Sequence, residues 1–132
     1  MDMPHSMNTG HEGSLTTLHA NSPAESISRL TTMVRYVAEL PVDVIEANIA
    51  SAIGLVVQTR RSLDGARFVS DIVSLSFDRE EGRCRALPLY QRLLGQDTGQ
   101  WVSTPDWVDE LPLLGIADSK EVDSWKRACS LA

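Results

Sequence analysis

The four residues from Ser22 to Glu25 constrain the fold of this chain more than any other part of its sequence, because they define the start of a helix. Ser22 is a favoured N-cap residue, Pro23 occupies the first helical position, and Glu25 completes a capping box. Apolar residues then recur at spacings of three and four, which places them on one helical face. We predict a helix over 23–38 with an apolar stripe of Ile27, Leu30, Val34 and Val37.

A second helix is expected directly after the first. Pro41 restarts the chain, and Gly54 ends the helix that we predict over about 42–53. The apolar residues between them again share one face, which indicates a side that packs against a core. They are Val42, Ile45, Ile49 and Ile53.

The residues after Gly54 have the composition and alternation of β-strands. Asp64-Gly65 is a strong hairpin signal, and the stretch 68–77 alternates apolar residues with serines. Asp78–Gly82 is a second, solvated turn, and Pro88 indicates that its strand lies at a sheet edge. We predict three antiparallel strands over 55–62, 67–77 and 83–90. A short strand near Leu15–His19 is also expected, with an unpaired edge or a remodelled partner.

The composition changes near Leu94–Gln100, where glycine and polar residues cluster. We therefore divide the chain into a main body over 1–94 and a linker with an acidic helical tail over 95–132. Two short helices are predicted in the tail, near 105–111 and 119–130. The tail also holds three tryptophans, which form either a protein-binding surface or, as we favour, a packed small core. They are Trp101, Trp107 and Trp125.

The net charge of the 132-residue chain is −6, with 18 acidic and 12 basic side chains. This argues against nucleic acid or an anionic membrane surface as the primary partner, since both favour a basic protein surface. No apolar run approaches the roughly 18 residues of a membrane helix, and the first residues do not resemble a signal peptide. Cys84 and Cys129 make no disulfide framework. These features predict a cytoplasmic protein with reduced thiols.

The stretch 8–23 carries the most informative chemistry. His11 and His19 bracket a segment rich in glycines and hydroxyl groups. Glycines let backbone N–H groups approach an anion, hydroxyls donate hydrogen bonds, and an imidazole adds a donor whose charge can be tuned. The composition alone leaves two interpretations open. One is a phosphate-binding loop, and the other is a polar loop before a capped helix, with His19 packed at a strand end.

The order of residues adds to this composition. The segment reads Gly10-His11-Glu12-Gly13-Ser14-Leu15-Thr16-Thr17-Leu18-His19-Ala20-Asn21-Ser22-Pro23. It resembles the histidine box of type II/type IV secretion ATPases, and the match is best to the CpaF-like branch that serves Tad/Flp pilus assembly. The similarity continues through Leu40-Pro41, Val56-Val57-Gln58 and Asp64-Gly65, so that it covers about 8–90. The tail from Gln91 onward adds little to it.

The resemblance implies the C-terminal portion of a RecA-like P-loop ATPase domain, which in this family assembles into a ring of six subunits with ATP bound between neighbours. It implies that His11 and His19 are catalytic residues near the γ-phosphate. Arg60 and Arg61 follow the Val-Val-Gln strand, and the resemblance implies a contact with a neighbouring subunit there; a solvated strand end is the competing interpretation. The nucleotide-binding loop is implied to be shaped by Gly10, Gly13, Ser14 and Thr17.

The P-loop pattern Gly-x-x-x-x-Gly-Lys-(Ser/Thr) does not occur in this sequence, whose lysines, Lys120 and Lys126, both lie in the tail. In the family, the P-loop and the magnesium-binding aspartate precede the histidine box. The chain is therefore expected to be the C-terminal segment of a secretion ATPase, from a truncated gene, a split gene or an excised fragment. The complete family enzyme uses ATP and magnesium, whereas this chain alone is expected to bind neither and to hydrolyse no ATP.

The implied partners are the other subunits of a homo-hexameric ring or an upstream P-loop polypeptide, together with inner-membrane secretion components. The implied location is the cytoplasm, peripheral to the inner membrane through the secretion machinery. A second hypothesis is of another class: a stand-alone, non-catalytic interaction module that docks on a secretion ATPase ring. An in-frame P-loop sequence upstream favours the first hypothesis, and an independent start at Met1 favours the second.

Other catalytic patterns are weaker. No metal site is predicted, because the spacings between the candidate zinc ligands match no common zinc pattern. These candidates are His5, His11, His19 and Cys84. Serine, histidine and aspartate are all present, but no Gly-x-Ser-x-Gly nucleophile elbow accompanies them.

Overall fold

The structure, a computed structural model, describes residues 15–130. Two helices are followed by antiparallel strands and then by a helical C-terminal segment, so the predicted α/β class and order of elements are confirmed. The elements are α1 (Pro23–Val37), α2 (Val42–Ala52), β1 (Leu55–Arg61), β2 (Arg67–Asp78), β3 (Arg83–Gln91), β4 (Gln100–Trp101), α3 (Glu110–Leu113) and α4 (Ser119–Ser130).

The described residues form two compact units. The first comprises 15–56 and 75–86, and the second comprises 57–74 and 87–130. Most of the tail therefore belongs to the same unit as the hairpin between β1 and β2. The division of the sequence into 1–94 and 95–132 stays a prediction.

The start of α1 has the predicted cap. The Ser22 hydroxyl accepts a hydrogen bond from the backbone N–H of Glu25 at 3.1 Å. The Glu25 carboxylate reaches one residue beyond the N-cap and accepts the N–H of Asn21, also at 3.1 Å. A hydrogen bond from Arg29 to the same carboxylate is the largest cause that lowers the pKa of Glu25, and the Asn21 N–H adds to it. The helix is confirmed and ends at Val37, one residue earlier than predicted.

The core of the first unit lies where α1 packs against α2. Two successive residues of each predicted stripe are buried, and each is at most 8% exposed. The outer ends of the stripes, Val37 and Val42, stay exposed at 60% and 36%. The two helices therefore pack through one turn of each stripe rather than along its whole length. The buried residues are Ile27 and Leu30 of α1 and Ile45 and Ile49 of α2.

The hairpin between β1 and β2 turns where the sequence predicts. Gly65 has a φ of 88°, a left-handed conformation that favours glycine. Its N–H donates to the Ser62 carbonyl at 2.9 Å, and the Ser62 N–H donates to the Ala66 carbonyl at 2.8 Å. The Asp64 carboxylate accepts the Ala66 N–H at 3.0 Å and a hydrogen bond from the Ser62 hydroxyl. These hydrogen bonds, that of Ser62 first, lower the pKa of Asp64.

The sheet has four strands in the order β1-β2-β3-β4, one more than predicted. The extra strand, β4, has only two residues and runs antiparallel to β3, with Tyr90 opposite Trp101 and Gln91 opposite Gln100. The prediction that β3 forms the sheet edge is therefore wrong where β4 covers it. Pro88 lies two residues before that paired stretch, so its missing N–H removes no hydrogen bond from it.

Two further sequence predictions need correction. The first tail helix was expected over 105–111, but 106–109 is a turn and α3 begins only at Glu110. Residues 15–20 form neither helix nor strand, and Leu15 is 98% exposed, so the predicted strand over Leu15–His19 is wrong. Alternation of residue types indicates that a segment can be a strand, but a strand also needs a partner for its N–H and C=O groups. Among the described residues, none of the strands pairs with this segment.

Two of the three tail tryptophans, Trp101 and Trp125, pack together, as the favoured interpretation predicts for them. The Trp101 ring lies between those of Tyr90 and Trp125, with centroid distances of 5.2 Å and edge-to-face angles of 64° and 69°. Val108 and Val122 are buried in the same unit, at 3% and 4% exposure. Such an arrangement stabilises a small core through both apolar burial and ring geometry.

Gly99 lies against this aromatic group, and we expect Gly99→Ala to destabilise the chain by about 1–3 kcal/mol. A Cβ at this position would overlap the ring and hydroxyl of Tyr90, which is itself held against Trp101. Urea denaturation followed by tryptophan fluorescence measures the effect. Gly54→Ala is the matched control, because a Cβ there meets no atom within 4 Å. Equal midpoints for the two variants would contradict the tight packing of Gly99.

Candidate functional site

The described part of the predicted histidine box is an irregular segment that leads into α1. Thr17 and His19 are both exposed in it. The exposure of His19 contradicts the interpretation in which it packs at a strand end. An exposed imidazole on a segment without ladder hydrogen bonds is available to a ligand, and its loss removes no core packing.

The remaining box residues that we singled out lie outside the described residues. These are Gly10, His11, Gly13 and Ser14. The structure therefore shows the second histidine of the box and its connection to α1. The relation of His11 to His19 stays a prediction.

The hydrogen bonds at the start of α1 determine which N–H groups there are free to bind an anion. Helix N-termini favour anions through their free N–H groups. Here Pro23 has no N–H, the Glu25 N–H donates to Ser22, and the Ser26 N–H donates to the Ser22 carbonyl at 3.0 Å. The Glu25 carboxylate adds a negative charge at the same end. The capped start of α1 therefore offers fewer free N–H groups to an anion than an uncapped helix would, and the exposed Thr17 and His19 precede it in the chain.

Arg60 and Arg61 lie at the end of β1 and are both exposed. Neither forms an ion pair with any residue in the described part of the chain. They belong to the second unit, whereas the box belongs to the first. Their position fits both a solvated strand end and a surface that contacts another chain.

A buried carboxylate in the first unit was missed by sequence reasoning. Glu46 on α2 is only 5% exposed. It accepts hydrogen bonds from Arg83 Nε at 2.9 Å and from the Cys84 N–H at 3.1 Å, both on β3. Burial, and to a lesser extent the charge of Glu46, raises the pKa of the Cys84 thiol to about 11. The thiol therefore stays protonated and unreactive at neutral pH.

One sequence signal points to Glu46. It follows Ile45 and precedes Ile49 by three residues, which places it on the apolar face of α2. A glutamate on such a face needs a partner, but the sequence does not say which of the nine arginines before residue 97 supplies it.

The comparison with known families concerns the N-terminal half of the chain. The family model described as Type II/IV secretion system protein matches residues 2–74, more than half of the 132 residues. The chain belongs to this family. The match includes the predicted histidine box, α1, α2, β1 and most of β2, so this part is a secretion ATPase-related segment. The type II/IV family match ends before β3 and the tryptophan-containing tail. A search of curated proteins finds no significant match.

Within residues 15–130, no group of three or more histidine, cysteine, aspartate or glutamate side chains is placed to hold a metal ion. No helix in this part of the chain has both the length and the apolar character that are needed to cross a membrane.

Proposed function

We propose that this chain supplies the histidine-box segment of a CpaF-like secretion ATPase of the RecA-like class. In this proposal His11 and His19 donate hydrogen bonds to the γ-phosphate of ATP. Gly10, Gly13, Ser14 and Thr17 shape the loop around that phosphate. The observation that carries the proposal is the exposed His19 in a segment of family-matched sequence directly before a capped helix.

The chemistry of phosphoryl transfer supports these roles. Negative charge spreads over the γ-phosphate oxygens, and catalysis depends on donors that are already positioned around them. The imidazole and hydroxyl groups of the box supply such donors. The P-loop and a magnesium site must come from another polypeptide segment, because the pattern for the P-loop is absent from this sequence.

The proposal also assigns partners. The P-loop part belongs either to an upstream polypeptide or to the same gene product, and the complete assembly is a ring of six subunits at the cytoplasmic side of the inner membrane. Arg60 and Arg61 are exposed and without an ion pair among the described residues, which suits a contact with a neighbouring subunit in that ring.

The test combines this chain with a P-loop polypeptide from a secretion ATPase that ends before its own histidine box. We expect no ATP turnover from either part alone and magnesium-dependent phosphate release from the complex, because positioning and charge stabilisation are then divided between the two. Phosphate release and analytical ultracentrifugation are measured on the same samples.

Two outcomes contradict the proposal. Saturable, magnesium-dependent turnover that copurifies with the isolated chain would show that it needs no separate P-loop. A stable complex without turnover, formed equally well with and without nucleotide, would favour the stand-alone interaction module.

A further inference from the structure

An exposed apolar loop with acidic surroundings lies in the second unit. We call residues 106–118 the acidic loop. Leu113, Leu114 and Ile116 are 85%, 66% and 68% exposed. The stretch 93–119 contains no lysine or arginine, and the acidic residues around the apolar side chains are all exposed. They are Asp106, Asp109, Glu110 and Asp118, of which Asp109 is ion-paired with Lys126 at 2.6 Å, so that the acidic charge offered to a partner rests on the other three.

The acidic loop is held in one conformation by its backbone. The Ile116 N–H donates to the Leu111 carbonyl at 3.0 Å, and the Gly115 N–H donates to the Pro112 carbonyl at 3.2 Å. With Gly115 at a φ of 70°, this is a Schellman ending of α3. The exposed leucines are therefore presented by an ordered backbone, which lowers the entropy cost of binding.

A second surface of the same unit has the opposite charge. We call residues 60–67 the basic hairpin. Leu63 at its tip is 94% exposed, and Arg60, Arg61 and Arg67 around it are exposed as well. None of these arginines is ion-paired with a residue of the described chain. Asp64 is the only acidic residue in the hairpin, and its carboxylate accepts hydrogen bonds inside the turn.

The acidic residues around the exposed leucines favour a partner with a basic surface. An anionic membrane surface would repel the acidic residues that surround its leucines. A complementary partner must combine an apolar contact with a basic rim, which is what Leu63 and its three arginines provide. We propose that the acidic loop of one copy of this chain docks on the basic hairpin of a second copy. The inference rests on the part of the proposed function that gives Arg60 and Arg61 a contact with a neighbouring subunit, but it does not rest on the nucleotide role of the histidine box.

The two surfaces differ, so the contact is heterologous, and successive copies form a closed ring or an open chain. Leucine and isoleucine side chains supply the apolar burial, and the opposite charges set the orientation of the two copies. Because these charges are exposed, added salt screens them and weakens the association.

The test starts with sedimentation velocity of the purified full chain from about 10 μM to about 1 mM, a range that suits a small interface. We expect the mass to rise with concentration and to fall when salt is raised from roughly 50 to roughly 500 mM. Arg60→Glu with Arg61→Glu, or Leu113→Ser with Leu114→Ser, should weaken association at least about tenfold. Arg79→Glu and Leu93→Ser, at exposed positions outside both surfaces, should leave it unchanged.

Mixing the two defective variants gives the sharper result. Each variant keeps one intact surface, so the mixture should form dimers that grow no further, whereas each variant alone stays monomeric. Circular dichroism on every sample verifies the fold. Monomeric wild-type chain over the whole range, association that either pair of substitutions leaves intact, or a mixture that stays monomeric would each overturn the proposal.

Discussion

His19→Ala in the complete ATPase is expected to lower ATP turnover by about 10²–10³-fold, the usual loss when one donor aimed at developing charge is removed. The melting temperature is expected to change little, because His19 is exposed on a segment without regular secondary structure. His11→Ala should reduce turnover to a lesser degree. Turnover, nucleotide affinity and melting temperature are measured on the same preparations of the chain combined with its P-loop part.

His5→Ala is the matched control, since this histidine precedes the box. It should retain full turnover. The opposite pattern, in which His19→Ala melts early but turns over normally per folded ring, would mean that the box is structural. The exposure of His19 makes the experiment decisive, because a loss of activity cannot be attributed to a collapsed core.

Glu46→Ala is expected to lower the free energy of unfolding by about 2–3 kcal/mol. The substitution removes an acceptor that is 5% exposed and leaves the Cys84 N–H without its partner. Arg83→Ala should cost about 2 kcal/mol, since a buried carboxylate then keeps only one donor. Its cost is lower than for a fully buried pair, because the Arg83 side chain is 64% exposed. Urea denaturation of both variants and of the double variant measures the coupling.

Arg85→Ala provides the control for this pair. Arg85 lies two residues after Arg83 and binds Asp78 and Glu81, but its side chain is 52% exposed, and those of its partners are 29% and 63% exposed. We expect a loss of less than about 1 kcal/mol from it. If Arg83→Ala costs no more than Arg85→Ala, the ion pair between Glu46 and Arg83 does not contribute to the stability of the fold. Glu46→Gln should retain part of the stability, because its amide oxygen can still accept the Cys84 N–H.

Local signals account for the elements that could be predicted. Ser22, Pro23 and Glu25 define the start of α1 through contacts within four residues of one another, and Asp64-Gly65 does the same for the hairpin. β4 could not be predicted, because two residues are too short to show a period and its strand depends on pairing with Tyr90 and Gln91.

The features that could not be predicted depend on contacts between residues that are far apart in sequence. Glu46 and Arg83 are 37 residues apart, and nothing in the local sequence of either joins them. Ser70 and Ser74 lie on the serine face of β2 but are buried at 2% and 8% exposure, because both faces of that strand are covered in part. In the histidine box, the motif indicates the chemistry, whereas the position of the imidazoles relative to a phosphate depends on a P-loop segment that this sequence does not contain.

The hydrogen bonds at the start of α1 also have a mechanical consequence. Glu25 accepts the Asn21 N–H, Ser22 accepts the Glu25 N–H, and Pro23 has a ring-restricted φ, so residues 21–25 are fixed to the start of the helix. A 15-residue helix is about 22 Å long. If His19 binds the γ-phosphate as proposed, its displacement on phosphate release would be transmitted along α1 towards Tyr36, which lies near the other end of the helix and is 89% exposed.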